Sequence, residues 1–452
     1  MQIIIVGCGK VGINLTEQLV KEGHNIAVVD MDSTVVSSVS NKYDVLGVTG
    51  NGASYNVQIE AGLDQADLLI AVAGSDELNL LCCLIAKKMG NCNTIARVRN
   101  PIYSKEIDVI REEMGLSMII NPELAASYEM SRLLRFPSAM KIDTFAKGRV
   151  EIVKIAIAEG SPLCDHYIME LLAKYKYDVL VCAVERGEEI TIPNGNFVFR
   201  AKDVISVVAT PRSSSQLFKK LGIANSQVKD AMIVGGGEIT YYLAAQLLDM
   251  GIAVKIIELK KERCEQLSAL LPKATIIHGD AIDQNILLEE DLTHAEAFIS
   301  LTNFDEENIL LSLFAKSASN AKVITKINRI SFDSVIDSLE LGSIIYPKHV
   351  TSEYIIRYVR AMQNSIGSNI ETLYQLIEDK VEALEFVIRE NAPVVGVPLE
   401  KLNLKSNLLL CSINRRGKII IPRGQDELHV GDTVVVVTSH KGLDDIGDIL
   451  AQ

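Results

Sequence analysis

The feature that most constrains this sequence is an internal repeat, in which the first half of the chain returns in the second half with its spacing kept. Gly7 and Gly9 recur as Gly235 and Gly237, 228 residues further on. The other matched pairs, at an offset of 228 or 229, are Asp30 with Glu258, Asn79 with Asn308, Arg97 with Lys326, Pro193 with Pro422 and Asp203 with Asp432. Matches that keep their spacing over most of a chain indicate two copies of one structural unit.

Each copy opens with short apolar strands that alternate with amphipathic helical segments. In the first copy the predicted strands are QIIIV, NIAVV, YDVLGV, DLLIAV and TIARV. This alternation favours parallel strands joined by right-handed crossovers. The predicted fold class is therefore α/β, with Rossmann-like doubly wound parallel sheets over residues 1–122 and 228–348.

A small α+β domain is expected after each doubly wound sheet. Residues 123–140 and 349–370 are predicted to form a crossover helix and linker, and Pro122 suits the first turn of the first such helix. Beyond them, segments such as DVLVCAVERGEEITIPNG alternate apolar and polar residues around turn signals. This alternation predicts strand-rich small domains over residues 141–222 and 371–452.

Composition limits the classes of partner. The 452 residues are 48% apolar, yet no uncharged run has the roughly 18 apolar residues of a membrane-spanning helix. A net charge of −13 gives no basic footprint for nucleic acid. The eight cysteines lack zinc-ligand spacing and are expected to be reduced core thiols. Because the sequence opens without a signal-peptide pattern, a cytoplasmic protein with no membrane insertion is expected.

The segment IIIVGCGKVG supplies the strongest candidate site. Its Gly-x-Gly-x-x-Gly spacing follows a predicted strand and opens a predicted helix. In such a loop the first glycine makes a tight turn, the second admits a pyrophosphate and the third lets the helix pack closely. The free N–H groups of the helix would then hold the phosphates. The candidate residues are Gly7, Cys8, Gly9, Lys10, Val11 and Gly12.

Asp30 ends the next predicted strand, 18 residues after Gly12. Its carboxylate would accept hydrogen bonds from a ribose diol and repel a 2′-phosphate, which favours NAD or an adenosine nucleotide over NADP. The loop at Ala73 and Gly74 lies where an adenine or ribose would rest. Arg97 follows the fifth strand at the same edge, where it either contacts a phosphate or ties down the next helix.

Lys10 leaves two interpretations open. A cation inside the loop would reach terminal phosphates, which suits ADP or ATP as well as NAD. The alternative is a solvated lysine on the first helical turn with no ligand contact.

The second glycine loop has changed its chemistry. Glu238 stands where the first copy has Lys10, and Thr240 replaces the third glycine. A carboxylate beside a phosphate costs binding energy unless the ligand differs or a cation compensates. We therefore expect weaker or more selective binding here, with NAD or ADP rather than a triphosphate. The candidate residues are Gly235, Gly236, Gly237, Glu238 and Ile239, with Glu258 in the ribose position.

The sequence offers no recognisable catalytic set. Of the seven scattered histidines, His278 is the best placed, but a polar residue at a loop start explains it better. Asp76 and Glu77 invite a metal, yet helix capping by Ser75 or Asp76 is the preferred interpretation, and no metal is predicted. A protein that senses a nucleotide is favoured, and an NAD-dependent oxidoreductase is the alternative.

Several motifs follow one another along the chain: IIIVGCGKVG, VVD, GNGA at residues 50–53, SDELN, IARVRNP, IVGGGEIT, GDAID at residues 279–283 and IPRG with HVGDTVVVV. In these motifs and in its tandem order the whole chain resembles the RCK (regulator of potassium conductance) family. The motifs GNGA and GDAID add Asn51, Gly52, Gly279 and Asp280 to the candidate nucleotide contacts.

The resemblance implies a cytosolic regulatory subunit, not an enzyme, that lies peripheral to the cell membrane. It implies a ring, expected to be a homotetramer, beneath a potassium-conducting membrane protein of the TrkH or TrkG type. NAD(H) and the alternative ligands ADP and ATP would act as effectors. A regulator of a cation/proton antiporter would share the cytosolic fold and is a further alternative.

The role of Asp30 is testable. Replacing Asp30 with alanine should weaken NAD binding without unfolding the protein, because the ribose loses its acceptor. Calorimetric titration measures the affinity, and an unchanged value would remove Asp30 from the site.

Overall fold

A computed structural model describes most of the chain and contains four β-sheets. Each of its two compact units is built from both copies of the repeat: Met1–Ser131 with Val228–Ile356, and Arg132–Gln227 with Arg357–Gln452. The residues described are 1–90, 92–104, 106–145, 149–170, 178–187, 189–221, 227–328, 336, 339, 341–364, 370–377, 380–389, 392–441, 443 and 445–451.

The first sheet is parallel and has six strands. These are β1 (Gln2–Val6), β2 (Asn25–Asp30), β3 (Leu46–Thr49), β4 (Leu68–Ala71), β5 (Asn93–Arg97) and β6 (Met118–Ile120). Their spatial order is β3-β2-β1-β4-β5-β6, which is the order of a Rossmann fold. The predicted fold class is confirmed for this part, and β6 is an additional strand that the sequence pattern did not indicate.

Helices connect these strands and cover the faces of the sheet. They are α1 (Lys10–Lys21), α2 (Ser33–Tyr43), α3 (Tyr55–Glu60), α4 (Asp76–Met89), α5 (Pro101–Ser104), α6 (Ile107–Met114) and α7 (Pro122–Arg135), with a 3₁₀ turn at Leu63–Gln65. Ser75 caps α4, since its hydroxyl accepts a hydrogen bond from the Leu78 N–H at 3.3 Å. Capping at this position was predicted.

An antiparallel sheet and a helix follow in the first copy. The strands are β7 (Lys141–Phe145), β8 (Val150–Ala156), β9 (Val179–Arg186), β10 (Glu189–Thr191) and β11 (Val204–Ala209), and the helix is α8 (Pro211–Lys220). The strand order is β10-β9-β11-β8-β7. This is the small α+β domain that the alternating pattern predicts.

The second copy begins with another six-stranded parallel sheet. Its strands are β12 (Asp230–Val234), β13 (Ala253–Glu258), β14 (Thr275–His278), β15 (Ala297–Ser300), β16 (Lys322–Lys326) and β17 (Ser343–Ile345). Its helices are α9 (Glu238–Asp249), α10 (Lys261–Leu270), α11 (Gln284–Glu289), α12 (Asp305–Ala318) and α13 (Pro347–Asn364), with a 3₁₀ turn at Leu292–His294. The order β14-β13-β12-β15-β16-β17 repeats that of the first sheet.

A second antiparallel sheet ends the described chain. It consists of β18 (Ile370–Ile377), β19 (Val381–Val387), β20 (Leu408–Arg415), β21 (Lys418–Ile420) and β22 (Thr433–Thr438), with 3₁₀ turns at Leu399–Lys401 and Ile446–Ile449. Its order, β18-β19-β22-β20-β21, follows the same path as the first small sheet. Phe145 and Cys182 of one small domain share a buried core with Val381 and Cys411 of the other.

The repeated aspartates of the small domains are structural. Asp203 is almost fully buried and pairs with Arg186, whose Nη2 lies 2.7 Å from Oδ2 of Asp203. Asp432 pairs with Arg415 at the same distance. Buried carboxylates need such partners, which explains why this match survives in both copies.

The repeated asparagines hold the carboxyl edges of the parallel sheets. Buried Asn79 accepts a hydrogen bond from the Ala73 N–H at 2.7 Å and donates to the carbonyls of Ala73 at 3.1 Å and Arg97 at 2.9 Å. Asn308 makes the equivalent bonds to Thr302 and Lys326. Each asparagine thus ties its helix to one loop and to the end of the next strand, at the edge where ligands bind in such folds.

In the described part of the chain, no helix is both long enough and apolar enough to cross a membrane.

Replacing Asn79 with alanine should lower the free energy of unfolding by about 3 kcal/mol, because three buried hydrogen bonds are lost and their partners stay unpaired. Exposed Asn25, in the same domain, is the matched control, and its alanine variant should stay within about 0.5 kcal/mol of wild type. Urea denaturation measures both. An Asn79→Ala loss no larger than that of the control would contradict this role.

Candidate nucleotide-binding site

The first glycine loop turns from β1 into α1. Gly7 has φ of +102°, and a Cβ there would lie 2.7 Å from the Ala73 nitrogen, so only glycine fits. A Cβ on Gly12 would collide with the carbonyl oxygen of Gly7. At Gly9, in contrast, a Cβ would meet no atom within 4 Å. Gly9 therefore leaves open space before the N-terminus of α1, where a phosphate fits.

Asp30 ends β2 and faces this loop. Its Oδ2 accepts a hydrogen bond from the Cys8 N–H at 2.6 Å, and its Oδ1 accepts one from the Asp32 N–H at 3.1 Å. Both oxygens keep lone pairs with which a ribose diol can bond. Burial, followed by the charge of Asp30, raises the pKa of the Cys8 thiol to about 12. Cys8 is therefore a packing residue of the loop and not a nucleophile.

A cleft of about 600 Å³ lies over the loop, a size typical of cofactor sites. The predicted residues that line it are Gly7, Gly9, Lys10, Val11, Asp30, Gly52, Ala73, Gly74 and Arg97. Cys8, Gly12 and Asn51 do not line the cleft. Asn51 instead shapes the next turn, where its Oδ1 accepts a hydrogen bond from the Ala53 N–H at 3.0 Å.

Lys10, Arg97 and Arg99 bring positive charge to the lining of the cleft. Lys10 is exposed, while Arg97 and Arg99 donate at 2.6 Å to the carbonyls of Ala73 and Gly74. Arg97 thus ties the loop after β4, and its buried Nε has no hydrogen-bond partner within the described chain. Burial, and then the charge of Arg99, lower the pKa of Arg97. An anion in the cleft would give this Nε a partner and would favour the charged form of Arg97.

Part of the lining comes from the second copy, which the sequence did not predict. Asn328 and the first turns of α13, through Pro347, Lys348 and Thr351, border the first cleft. Other residues that sequence reasoning missed belong to the first copy and include Val6, Val29, Met31, Gly50, Val72, Leu78, Arg99, Pro122 and Glu123. The repeat gave only an indirect signal for Asn328, which lies two residues after Lys326, the counterpart of the predicted residue Arg97.

Charges of the two copies influence each other around this cleft. Burial raises the pKa of Glu123, whose Oε2 has no hydrogen-bond partner among the described residues. Burial lowers the pKa of Lys326 to about 8, with Lys10 acting in the same direction and Asp305 and Glu123 opposing it. Lys326 of the second copy therefore responds to Lys10 and Glu123 of the first.

Helices of the two copies also pack on each other. The Tyr242 hydroxyl, on α9, donates to the Arg99 carbonyl at 2.9 Å and accepts from the Asn121 amide at 3.0 Å. Nearby, Gln246 donates to the Ser127 hydroxyl at 2.7 Å. The helix that follows the second glycine loop is thus bonded to α7 of the first copy.

The second glycine loop keeps the geometry of the first. Gly235 has φ of +96°, and a Cβ on Gly237 would meet no atom within 4 Å. The Gly236 N–H donates to Oε2 of Glu258 at 2.6 Å. Thr240 fits in place of the third glycine because its hydroxyl donates to the Gly235 carbonyl.

The other predicted residues of the second copy have structural contacts. Ile239 is buried, the Gly279 N–H donates to the Glu258 carbonyl at 3.0 Å, and Asp280 Oδ1 accepts from the Ile282 N–H at 3.0 Å. His278 is exposed, with Nε2 3.1 Å from the Leu259 carbonyl. The described residues contain no group of three or more His, Cys, Asp or Glu side chains placed to hold a metal ion.

The fold and its glycine loops together define a tandem Rossmann-type protein, in which each parallel-sheet domain carries such a loop and is followed by a small antiparallel-sheet domain. The family model of the TrkA-N domain matches residues 3–122 and 231–347, and that of the TrkA-C domain matches residues 152–222 and 383–451. The chain belongs to the TrkA family.

Two relatives show how far this similarity extends. A "Trk system potassium uptake protein TrkA homolog" from Archaeoglobus fulgidus is 32% identical over 450 residues, 99% of this chain and 100% of that protein. The "Trk system potassium uptake protein TrkA" from Haemophilus influenzae is 30% identical over 445 residues, 98% of this chain and 96% of that protein.

Solved structures confirm the RCK-type fold. The GsuK RCK domain matches with a TM-score of 0.62 and 17% identity, covering 97% of this chain and 92% of that chain. The GsuK channel bound to NAD matches with a TM-score of 0.63 and 16% identity, covering 97% of this chain and 77% of that chain.

His349, in the first turn of α13, provides a test of pH dependence. Burial, and then the charge of Lys348, lower its pKa from 6.5 to about 4, against an opposing effect of Glu17 on α1. Its Nε2 has no hydrogen-bond partner in the described chain. As the pH falls below 6.5 the unfolded chain binds the proton first, so stability present above 6.5 is lost progressively towards pH 4.

Replacing His349 with glutamine should therefore flatten the decline of stability between pH about 7 and about 5. Exposed His278 is the control, and its glutamine variant should keep the wild-type pH dependence. Urea unfolding at both pH values measures the difference. Equal pH dependence in wild type and His349→Gln would refute the assignment.

Proposed function

We propose that this chain is a nucleotide-sensing regulatory subunit of a potassium uptake system. It binds NAD(H) and adenosine phosphates as effectors and gates a potassium-conducting membrane protein of the TrkH or TrkG type. The observation that carries the proposal is the shared lining of the first cleft, to which both Rossmann domains contribute. The names of the relatives, as proteins of a potassium uptake system, support the channel partner.

The chemistry of the first cleft supports a nucleotide. The open space at Gly9 and the N-terminus of α1 suit a pyrophosphate, and Asp30 suits a ribose diol. The orphaned Nε of Arg97 and the exposed Lys10 suit further phosphate oxygens. NAD and the adenosine phosphates share this ribose and pyrophosphate, so both classes fit the same residues.

A ligand in this cleft can change how the two Rossmann domains are arranged, because it contacts both of them. It shifts an equilibrium between two arrangements only through its different affinity for each, and about 5.5 kcal/mol carries a 1:99 population to 99:1. Ligands that differ in their terminal groups reach Lys348 and Thr351 of α13 to different extents. In our proposal this difference changes the angle between the paired domains, and α7 and α13 transmit the change.

A ring of subunits, proposed to be a homotetramer, would let several clefts contribute to one gating transition. Each chain would bring two RCK units to such a ring, and the ring would lie peripheral to the inner face of the membrane through its channel partner. The tandem match of the TrkA-N and TrkA-C domains supports this arrangement.

The proposal assigns the nucleotide a regulatory role and not a catalytic one. A dehydrogenase needs a proton donor or acceptor beside the nicotinamide, most often a histidine. The described lining of the first cleft includes no histidine or tyrosine. Incubation with NADH and candidate carbonyl substrates is the test of this role, and turnover above background would favour the oxidoreductase.

Potassium flux tests the regulatory function. Proteoliposomes that contain a TrkH-type channel should show nucleotide-dependent flux only when this protein is added. Gly9→Val is the matched variant, because its side chain would fill the phosphate space without meeting protein atoms at its Cβ. It should bind the channel yet lose the response that the first cleft provides. Flux that is indifferent to both protein and nucleotide would refute the proposal.

Charge reversal at Lys10 tests whether this side chain binds the terminal phosphate of ATP. Lys10→Glu should lower ATP affinity by about tenfold or more and NAD affinity by less, because a terminal phosphate would then meet a carboxylate. Lys21→Glu, exposed on the same helix, is the control and should change neither affinity. Calorimetric titration measures both ligands. Equal losses of ATP and NAD would exclude a contact between Lys10 and the terminal phosphate.

A further inference from the structure

The second glycine loop carries a negative side chain at the place where a phosphate would bind. Glu238 opens α9 and is 43% exposed. A carboxylate there is favourable for the helix, because it lies at the positive end of the dipole. Its negative charge, however, would repel a phosphate bound at the backbone N–H groups of the same helix end. This loop therefore needs a compensating positive charge if it is to bind an anion.

Arg263 of α10 supplies this charge. Its Nε donates to the Gly236 carbonyl at 2.6 Å, and its Nη2 lies 3.5 Å from Oε1 of Glu238. Its Nη1 also donates to Gln266 Oε1 at 3.1 Å, and the side chain is only 22% exposed. The guanidinium is thus held on the glycine loop by its own element and by the loop itself.

Positions 238 and 263 both differ in charge from their counterparts in the first copy. Where the second copy has Glu238 and Arg263, the first has Lys10 and Val35, 228 residues earlier. Lys10 and Val35 together carry one positive charge, whereas the charges of Glu238 and Arg263 cancel. The space at Gly237 is open in the same way as at Gly9.

We propose that a second cleft lies over the Gly235–Gly237 loop and that Arg263 determines its ligand specificity. By neutralising Glu238 it leaves the N-terminus of α9 available to the pyrophosphate of a dinucleotide or a nucleoside diphosphate. Because the Glu238–Arg263 pair has no net charge, this cleft lacks the extra attraction that the first cleft has for a triphosphate. The inference rests on the proposed function, because it takes the ligands of this chain to be nucleotides, and it adds that the second loop binds one.

The second cleft is measured alone in the full-length Gly9→Val chain, titrated calorimetrically with NAD and with ATP. In this background Arg263→Ala should lower NAD affinity by about tenfold, because Glu238 is left without its counterion. The double variant Glu238→Ala with Arg263→Ala should recover most of that loss. Lys261→Ala, which removes an exposed charge from the same helix, is the control and should change NAD affinity by less than about twofold.

Glu238→Ala by itself provides a test that does not depend on the folding of the Arg263 variants. It leaves the arginine without its carboxylate, so ATP affinity should rise by more than NAD affinity. A change that is equal for both ligands would overturn the inference.

The outcomes separate the inference from the proposed function. If the Gly9→Val chain binds no NAD and Gly237→Val leaves the wild-type stoichiometry unchanged, the second loop is not a nucleotide site, and the inference fails while the proposed function, which the first cleft carries, stands. If the wild-type chain binds neither NAD nor ATP, both fail. If NAD binds but Arg263→Ala changes its affinity no more than Lys261→Ala does, the inference alone fails. A rise in NAD affinity in Arg263→Ala would also overturn it, since the arginine would then be blocking the cleft.

Discussion

The first cleft depends on the bonds of one buried hydroxyl group. Tyr242, which is 7% exposed, bonds through its hydroxyl to the Arg99 carbonyl and the Asn121 amide of the other copy. Buried bonds of this kind are stronger than solvated ones, and breaking them leaves polar groups unpaired. Arg99 lines the cleft, and Asn121 directly precedes α7. The packing of α9 therefore helps to position one wall of the cleft.

The electrostatics of the cleft follow from the same packing. Lys326 is buried and its pKa is lowered to about 8, while the pKa of nearby Glu123 is raised, in both cases mainly by burial. Each of these groups is held in a state that a bound anion or cation would alter. The charge of Lys10 in the first copy also lowers the pKa of Lys326 in the second. In the proposed function, the charge of a ligand would therefore act on these groups as well as its shape.

The sequence predicts those parts of the fold and the cleft that local chemistry determines. Gly7 must be glycine because its φ is positive, and Asp30 is recognisable because it ends an apolar strand after a glycine loop. Strand β6 has three residues, which is too short to show a periodicity. The tandem order and the repeat gave the architecture, and solved structures of the same fold confirm it.

The remaining residues of the cleft could not be predicted from local pattern. Lys348 and Thr351 reach it only because α13 packs against the first copy, and no local motif states which faces meet. Arg263 follows the second glycine loop by 26 residues, and its contact with that loop depends on how α10 packs. Glu238 raised the question of a compensating cation, but only the folded chain shows which side chain lies beside it.

The prolines that open α7 and α13 have a consequence for symmetry. Pro122 is followed by Glu123, and Pro347 by Lys348, so equivalent positions of the two copies carry opposite charges. Two identical subunits paired about a twofold axis would have to present the same residue at both positions. Joining both copies in one chain removes this restriction. It makes them a permanent pair of unlike domains that cannot exchange partners. Its two glycine loops are free to diverge, because a mutation in one is no longer copied into the other.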